Sequence, residues 1–109
     1  MSENRDTLER LYATILSRKG GDPAVSHSAK LFAKGRAKIA QKMGEEAVEL
    51  AIAAVSEPRD AIVSESADLV FHLLVLWAEC GITIDDVRAE LTRREGQSGI
   101  DEKKARQLT

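Results

Sequence analysis

Apolar residues recur along this chain at intervals of three and four, the spacing that places them on one face of an α-helix. No stretch of useful length alternates in the way expected of a β-strand. The pattern predicts five helical segments. They run from Asp6 to about Arg18, between Pro23 and Gly35, from Arg36 to Val55, from about Pro58 to Cys80, and from Thr83 to Arg93 and Arg94.

Local signals place the ends of these segments. Capping residues are expected before the helices, glycines after them, and proline in a first turn. The sequence offers an Asp6/Glu9 capping box, Gly20-Gly21 as a stop, Ser26 or Ser28 as a cap, Pro58 in the first turn of the fourth helix, Gly81 as its stop, and a Thr83/Asp86 capping signature.

The second half of the fourth helix, Leu69 to Trp77, is apolar on nearly every side. Such a helix is expected to be surrounded by others, and a chain of 109 residues has little material to surround it. We therefore expect an all-α bundle of four to five helices whose core is completed by a homodimer. One domain should span residues 1–94, and the polar, glycine-containing segment 95–109 should be a mobile tail.

The overall composition excludes several classes of partner. Charged residues make up 31% of the chain but nearly cancel, giving a net charge of −2, so neither nucleic acid nor a membrane is an expected partner. The single cysteine, Cys80, rules out an internal disulfide framework. The start lacks an apolar signal segment, and the run "LVFHLLVLW" is too short to span a bilayer. A cytoplasmic protein with a small ligand is the expectation.

Acidic residues interrupt the apolar faces of the third and fourth helices. Glu46 and Glu49 share a face of the third helix, with Glu45 on its flank, and Glu65 and Asp68 share a face of the fourth. If the two helices form an antiparallel hairpin across "SEPRD", the carboxylates face each other and form an oxygen-rich cage. Mg²⁺ prefers such ligands together with substrate phosphates, and Mn²⁺ is an acceptable substitute.

The alternative is a solvated surface on which the carboxylates pair with Lys38, Lys42 and Arg59. A single ExxE motif favours that interpretation, but a second acidic pair on the next helix makes the pattern moderately specific, and aspartate is a poor residue for a helix interior. A di-iron bundle would need a Glu-x-x-His motif on each of two helices, which the chain lacks. His72, four residues after Asp68, shares its face and is either a core residue or a contact to a ligand.

Several stretches together resemble a known family. The runs "KGRAKIAQKMGEEAVELAIAA", "SESADLVFHLLVLW" and "VRAELTRREGQSGIDEKKAR" resemble phosphoribosyl-ATP pyrophosphohydrolase of histidine biosynthesis, a member of the all-α MazG-like nucleotide pyrophosphohydrolases. The resemblance extends from "LYATILSRK" to "DEKKAR". One departure is visible: family members commonly carry Ser-Tyr-Thr before "KL", where this chain has Ser26-His27-Ser28.

The resemblance implies a hydrolase that cleaves the α–β phosphoanhydride of phosphoribosyl-ATP, giving phosphoribosyl-AMP and pyrophosphate. Metal ions would be held by four carboxylates, and a carboxylate not fully engaged with metal would act as general base. The implied residues are Glu46, Glu49, Glu65 and Asp68 for the metal, Glu45 or Glu46 for the base, and Lys34, Lys38 and Lys42 for polyphosphate oxygens.

The superfamily carboxylates handle any triphosphate, so selectivity for phosphoribosyl-ATP must come from other groups. The segments "SHSAKLFAKG" and "RREGQSGIDEKKAR" are candidates, with Arg93 and Arg94 as substrate-binding cations or, alternatively, as charges that favour a helix end. Two further functions stay open at this point. They are a house-cleaning nucleoside triphosphate pyrophosphohydrolase and a non-catalytic helical interaction domain.

Overall fold

A computed structural model describes residues 6–96 and residue 106 of the chain. Those residues form an all-α fold with no strand among them. The helices are α1 (Thr7–Arg18), α2 (His27–Lys34), α3 (Arg36–Ser56), α4 (Arg59–Cys80) and α5 (Ile84–Arg93). The predicted fold class is therefore confirmed, while the predicted mobility of the tail concerns positions that lie mostly outside the described residues.

The ends of the helices follow the local signals in the sequence. Asp6 caps α1 by accepting from the backbone N–H of Leu8, and Ser26 caps α2 by accepting from Ala29. Thr83 and Asp86 form the predicted capping box of α5, each accepting from the other's backbone N–H. These bonds satisfy donors that every helix leaves unpaired at its first turn.

Two predicted details are wrong, each because a residue has a different local role. Glu9 accepts from Arg88 of α5 at 3.0 Å, so it ties α1 to α5 where the sequence suggested the second half of a capping box. Pro58 is the N-cap of α4, one position before its expected place in the first turn, and its carbonyl accepts from the Ile62 N–H.

Two glycines set the path of the chain between helices. Gly35 is the single residue between α2 and α3 and has a φ of 90°, while Gly81 ends α4 in the left-handed conformation with a φ of 72°. L-residues with a side chain adopt this region rarely, so glycine permits both turns at little steric cost.

The core forms where α1 and α2 pack on the α3–α4 hairpin, which is the most extensive contact between helices. Its side chains include Ile15, Leu31, Ile39 and Val75, each at most 2% exposed. The Tyr12 hydroxyl donates to the Ile82 carbonyl and so fixes α1 to the turn after α4.

Among the described residues, α4 alone is long and apolar enough to cross a membrane, judged by length and composition. The sequence prediction considered only its nine-residue apolar run, and the whole helix of 22 residues corrects that estimate of length. The same length and composition suit the central helix of a bundle, and α4 contacts α1, α2 and α3. Only 22% of its most apolar window is buried within the single chain.

Candidate functional site

Three carboxylates from two helices converge at one place on the α3–α4 hairpin. Glu46 and Glu49 of α3 and Glu65 of α4 each offer an oxygen, and these oxygens lie within 4.8 Å of one another. The hairpin explains the meeting, because residues three apart on α3 share the face that packs on α4. We call these three residues the acidic cluster.

Asp68 lies beside the acidic cluster, one turn of α4 beyond Glu65. Its negative charge is close enough to raise the pKa of both Glu46 and Glu65. The structure thus brings three of the four predicted metal ligands into one group and places the fourth next to them.

The acidic cluster lacks the partners that normally accompany a buried carboxylate. Oε2 of Glu46 and Oε2 of Glu65 are out of contact with solvent, and neither has a hydrogen-bond partner among the described residues. Burial and then Glu49 raise the pKa of Glu46, and burial followed by Glu49, Asp68 and Glu46 raises that of Glu65. A positive ion would offset both effects, because desolvation and like charge each disfavour the ionised form.

The residues present therefore fit a divalent cation with hard oxygen ligands. Oxygen atoms from Glu46, Glu49 and Glu65 supply a compact donor set, and buried oxygens without partners are available to it. Such all-oxygen donors suit Mg²⁺ and Mn²⁺ better than the softer metals that sulfur and nitrogen ligands select.

His72 is buried at the edge of this group, with 7% of its surface exposed. Its Nδ1 lies 2.8 Å from the Asp68 carbonyl oxygen, which can only accept, so Nδ1 carries a proton and donates. Its Nε2 is buried without a partner among the described residues. The charge of His72 acts on Glu46, which places the ring next to the acidic cluster.

Glu45 is turned away from the acidic cluster. One carboxylate oxygen accepts from the Gln41 amide at 2.9 Å and the other lies 3.7 Å from the Lys42 ammonium, all on an exposed side of α3. The Gln41 hydrogen bond, and then the charges of Lys42 and Lys38, lower the pKa of Glu45. A more acidic carboxyl is a weaker base, so this surrounding favours Glu46 over Glu45 for proton transfer.

The three predicted phosphate-binding lysines do not form one uniform stripe. Lys38 is 3.5 Å from the Gln41 amide oxygen, and Lys42 approaches Glu45. Lys34, in the last turn of α2, lies near the imidazole of His27, as does Lys42.

An aromatic group beside the acidic cluster was not predicted from the sequence. His27 stacks on Phe71 with ring centroids 5.6 Å apart and an angle of 19° between planes, and His72 meets both rings edge-on. The sequence signal that could have drawn attention to this region is the spacing of His27, Lys30 and Lys34, which places all three on one side of α2.

Arg93 and Arg94 lie at the end of α5 and both donate to Glu90. The closest contacts are 2.6 Å from Arg93 and 2.8 Å from Arg94 to Oε2 of Glu90. None of the described contacts joins Arg93 or Arg94 to the acidic cluster. Their role in substrate binding therefore stays a prediction.

Comparison with known proteins identifies the family of the chain. A family model described as phosphoribosyl-ATP pyrophosphohydrolase matches residues 8–95. Relatives named phosphoribosyl-ATP pyrophosphatase include one from Paramagnetospirillum magneticum, 61% identical over 97% of both chains. Another, from Azospirillum brasilense, is 59% identical over 91% of this chain and 89% of its own. A third, from Rhodospirillum rubrum, is 56% identical over 93% of this chain and 86% of its own.

The family match covers α2 to α5, all of α1 except its first residue, and every residue of the acidic cluster. The three relatives are matched over 86% to 97% of their own length. The chain belongs to the phosphoribosyl-ATP pyrophosphohydrolase family.

Proposed function

We propose that this chain hydrolyses the α–β phosphoanhydride of phosphoribosyl-ATP, releasing phosphoribosyl-AMP and pyrophosphate, as a step of histidine biosynthesis. Membership of the family and the name shared by its relatives support the reaction. The observation that carries the proposal is the acidic cluster, three carboxylates that converge with buried oxygens lacking partners among the described residues.

Mg²⁺ is the proposed cofactor, with Mn²⁺ as a substitute. Glu46, Glu49 and Glu65 would hold it, with Asp68 adjoining. When bound, the ion offsets phosphate charge and lowers the pKa of a nearby water. The carboxylates would fix the position of the ion inside a half-buried site, where electrostatic interactions are stronger than in bulk water.

Among the candidate bases, Glu46 is the one we propose to accept the proton of the attacking water. Glu45, the other candidate, is turned towards Gln41 and Lys42, whereas Glu46 lies in the acidic cluster with a buried oxygen that has no partner among the described residues. His72 lies beside Glu46, and the hydrogen bond from Nδ1 to the Asp68 carbonyl holds the His72 ring in place.

The decisive assay for the reaction measures pyrophosphate release from phosphoribosyl-ATP beside ATP, dUTP and dCTP at one magnesium concentration. We expect the highest kcat/KM for phosphoribosyl-ATP. Equal or better turnover of a simple triphosphate would instead support a house-cleaning pyrophosphohydrolase. Absence of pyrophosphate release from all four would support the non-catalytic helical domain.

A homodimer is proposed from the apolar side chains that one chain leaves uncovered. Ile52 and Val55 on α3 and Val63 on α4 are 55%, 86% and 56% exposed. Large apolar patches on a soluble chain commonly mark an interface. Sedimentation at micromolar concentration should give a dimer, and Val63→Asp should weaken it. Val25→Asp is the matched control, since Val25 is 81% exposed in the loop before α2. An active wild-type monomer would contradict the proposal.

We also propose a cytoplasmic location. The substrate of the proposed reaction derives from ATP, and α4 packs against three other helices of the bundle, while the proposed dimer would cover more of its apolar surface. Fractionation of cells should recover the chain and its activity in the soluble fraction, and recovery with the membranes would contradict this placement.

A further inference from the structure

A patch of positive groups lies next to the aromatic rings beside the acidic cluster. His27 is exposed at the start of α2, and the charges of Lys30 and Lys34 on the same helix act on its ring. Lys42 of α3 does the same, and the His72 ring of α4 lies 6.1 Å away. Among the described residues, the groups with the largest effect on the pKa of His27 are one imidazole and three lysines. We call His27, Lys30, Lys34 and Lys42 the cationic patch.

The position of the His27 ring is well defined although its surface is accessible. One face stacks on Phe71, and the Ser26 cap that precedes it fixes the first turn of α2. The single residue Gly35 then joins α2 directly to α3, which carries two members of the acidic cluster. Three members of the cationic patch, on α2, are therefore linked through one residue to the helix that carries Lys42 and two members of the acidic cluster.

The proposed substrate has two separate anionic ends. Its triphosphate would be held with the metal at the acidic cluster, which leaves the phosphate of the phosphoribosyl group as the remaining anion. A phosphate is recognised by several converging cationic donors, and a positively charged imidazole is a suitable one. The His27 ring lies 6.1 Å from the His72 ring, and His72 in turn acts on Glu46, so the cationic patch is close to the carboxylates of the proposed metal site but contains none of them.

We infer that His27, with Lys30 and Lys34, binds the phosphate of the phosphoribosyl group and so determines the selectivity of the site for phosphoribosyl-ATP over simple nucleoside triphosphates. The inference rests on the proposed function.

The charge state of His27 connects this role to pH. Burial, then His72, Lys30, Lys42 and Lys34, lower the pKa of the imidazole in the free chain. A bound phosphate would oppose the effect of those cations and favour the protonated ring. Binding of the substrate should therefore be accompanied by uptake of a proton and should weaken as pH rises through the titration of His27.

The first experiment follows the His27 imidazole by NMR while pH is varied. The chain contains only two histidines, so the His27→Phe variant identifies the resonance. The probes are phosphoribosyl-AMP, which retains the phosphoribosyl phosphate, and AMP, which lacks it. We expect phosphoribosyl-AMP to raise the pKa of His27 and AMP to leave it unchanged. Equal effects of the two probes, or no effect of either, would overturn the inference.

The second experiment compares steady-state kinetics of the wild type and His27→Phe from pH 6 to pH 8.5. Loss of one exposed charged contact should raise KM for phosphoribosyl-ATP about three- to tenfold at pH 6, and the two KM values should converge at high pH. The KM for ATP should be the same for the wild type and His27→Phe throughout this pH range. His27→Phe keeps the stacking on Phe71, so a change in kcat with unchanged KM would indicate a structural role and overturn the inference.

The two proposals fail in different ways. If the wild type releases pyrophosphate from phosphoribosyl-ATP and His27→Phe has the same KM at every pH, only the inference about His27 fails. If the wild type does not act on phosphoribosyl-ATP, the proposed function fails and the inference fails with it.

Discussion

Glutamates occur in two contrasting surroundings in this molecule. Glu90 on α5 receives hydrogen bonds from Arg93 and Arg94, and these lower its pKa to about 2. For Glu46 and Glu65 of the acidic cluster, no arginine is among the described groups with the largest effect, and burial with like charge raises the pKa of both residues. Both places hold glutamates on helices, yet the sign of the electrostatic effect is opposite.

The contrast separates a structural role from a functional one. A carboxylate with two guanidinium partners stabilises the folded chain, and its charge is already compensated. Three converging carboxylates without such partners disfavour folding, because their charges repel one another. Their proximity becomes favourable only when a cation binds between them. Perturbed ionisation of this kind is concentrated at functional sites, which is why the acidic cluster carries the proposed chemistry.

The largest expected difference between the two surroundings is in kcat/KM, compared between the variants Glu49→Gln and Glu90→Gln. Loss of a metal-binding carboxylate removes several kcal/mol of charge stabilisation, so kcat/KM for phosphoribosyl-ATP should fall about 100-fold or more in Glu49→Gln. Glu90→Gln should remain within about twofold of the wild type, a change of less than ~0.5 kcal/mol. Both are measured at saturating magnesium. Activity of Glu49→Gln within a few-fold of the wild type would remove Glu49 from the site.

Magnesium should stabilise the folded chain by binding at the acidic cluster and not at Glu90. A cation that binds only the folded chain raises Tm, and at about ten times Kd the expected increase is roughly 5–10 °C for a domain of this size. Differential scanning fluorimetry with and without Mg²⁺ measures the shift. Glu49→Gln should lose it and Glu90→Gln should keep it. A wild-type Tm that does not respond to Mg²⁺ or Mn²⁺ would argue against a metal site.

The metal-free chain should lose stability as pH rises from about 4.5 towards neutral. The pKa values of Glu46 and Glu65 are higher in the folded chain than the ordinary 4.5, so the folded chain binds more protons in this range. Their stabilising effect is complete below the ordinary value and disappears as pH passes the raised one. Tm measured in a chelating buffer should fall by a few degrees. Glu46→Gln should flatten that slope.

Glu90 should show the reverse dependence, with the smallest effect of the set. Its lowered pKa stabilises the fold above the ordinary value of 4.5, and the contribution disappears as pH falls towards about 2. Because the pair is exposed, Glu90→Gln should lower Tm at pH 7 by no more than about 1–3 °C. The two Tm values should converge near pH 2, and a difference that persists there would show that the arginine contacts are not its source.

Much of the fold was predictable because the signals are local. Ser26, Gly35, Gly81 and Thr83 end or begin their helices where the sequence suggested, since capping and left-handed glycines depend on a few neighbouring residues. The acidic cluster was predictable for a related reason. Spacing along one helix and a short connection to the next are enough to bring such side chains together.

The features that were not predicted depend either on which of two helix faces a side chain takes or on contacts between distant segments. Glu45 turns towards Gln41 and Lys42, and helical spacing alone does not choose between that face and the face of Glu49. The stack of His27 on Phe71 joins the start of α2 to the middle of α4, and spacing along the sequence does not specify which residues of two separate helices will meet. Glu9 pairs with Arg88 because α1 and α5 meet through tertiary packing.

The connection between α3 and α4 also bears on the order in which the chain folds. Only Glu57 and Pro58 separate the two helices, so closing this hairpin costs little loop entropy compared with docking α1, whose Tyr12 must reach Ile82. We expect the helices that carry the acidic cluster to associate early and to meet their own repulsion at that stage. Stopped-flow refolding should therefore be faster with Mg²⁺ present, and an unchanged folding rate with slower unfolding would place the cation's effect after the transition state.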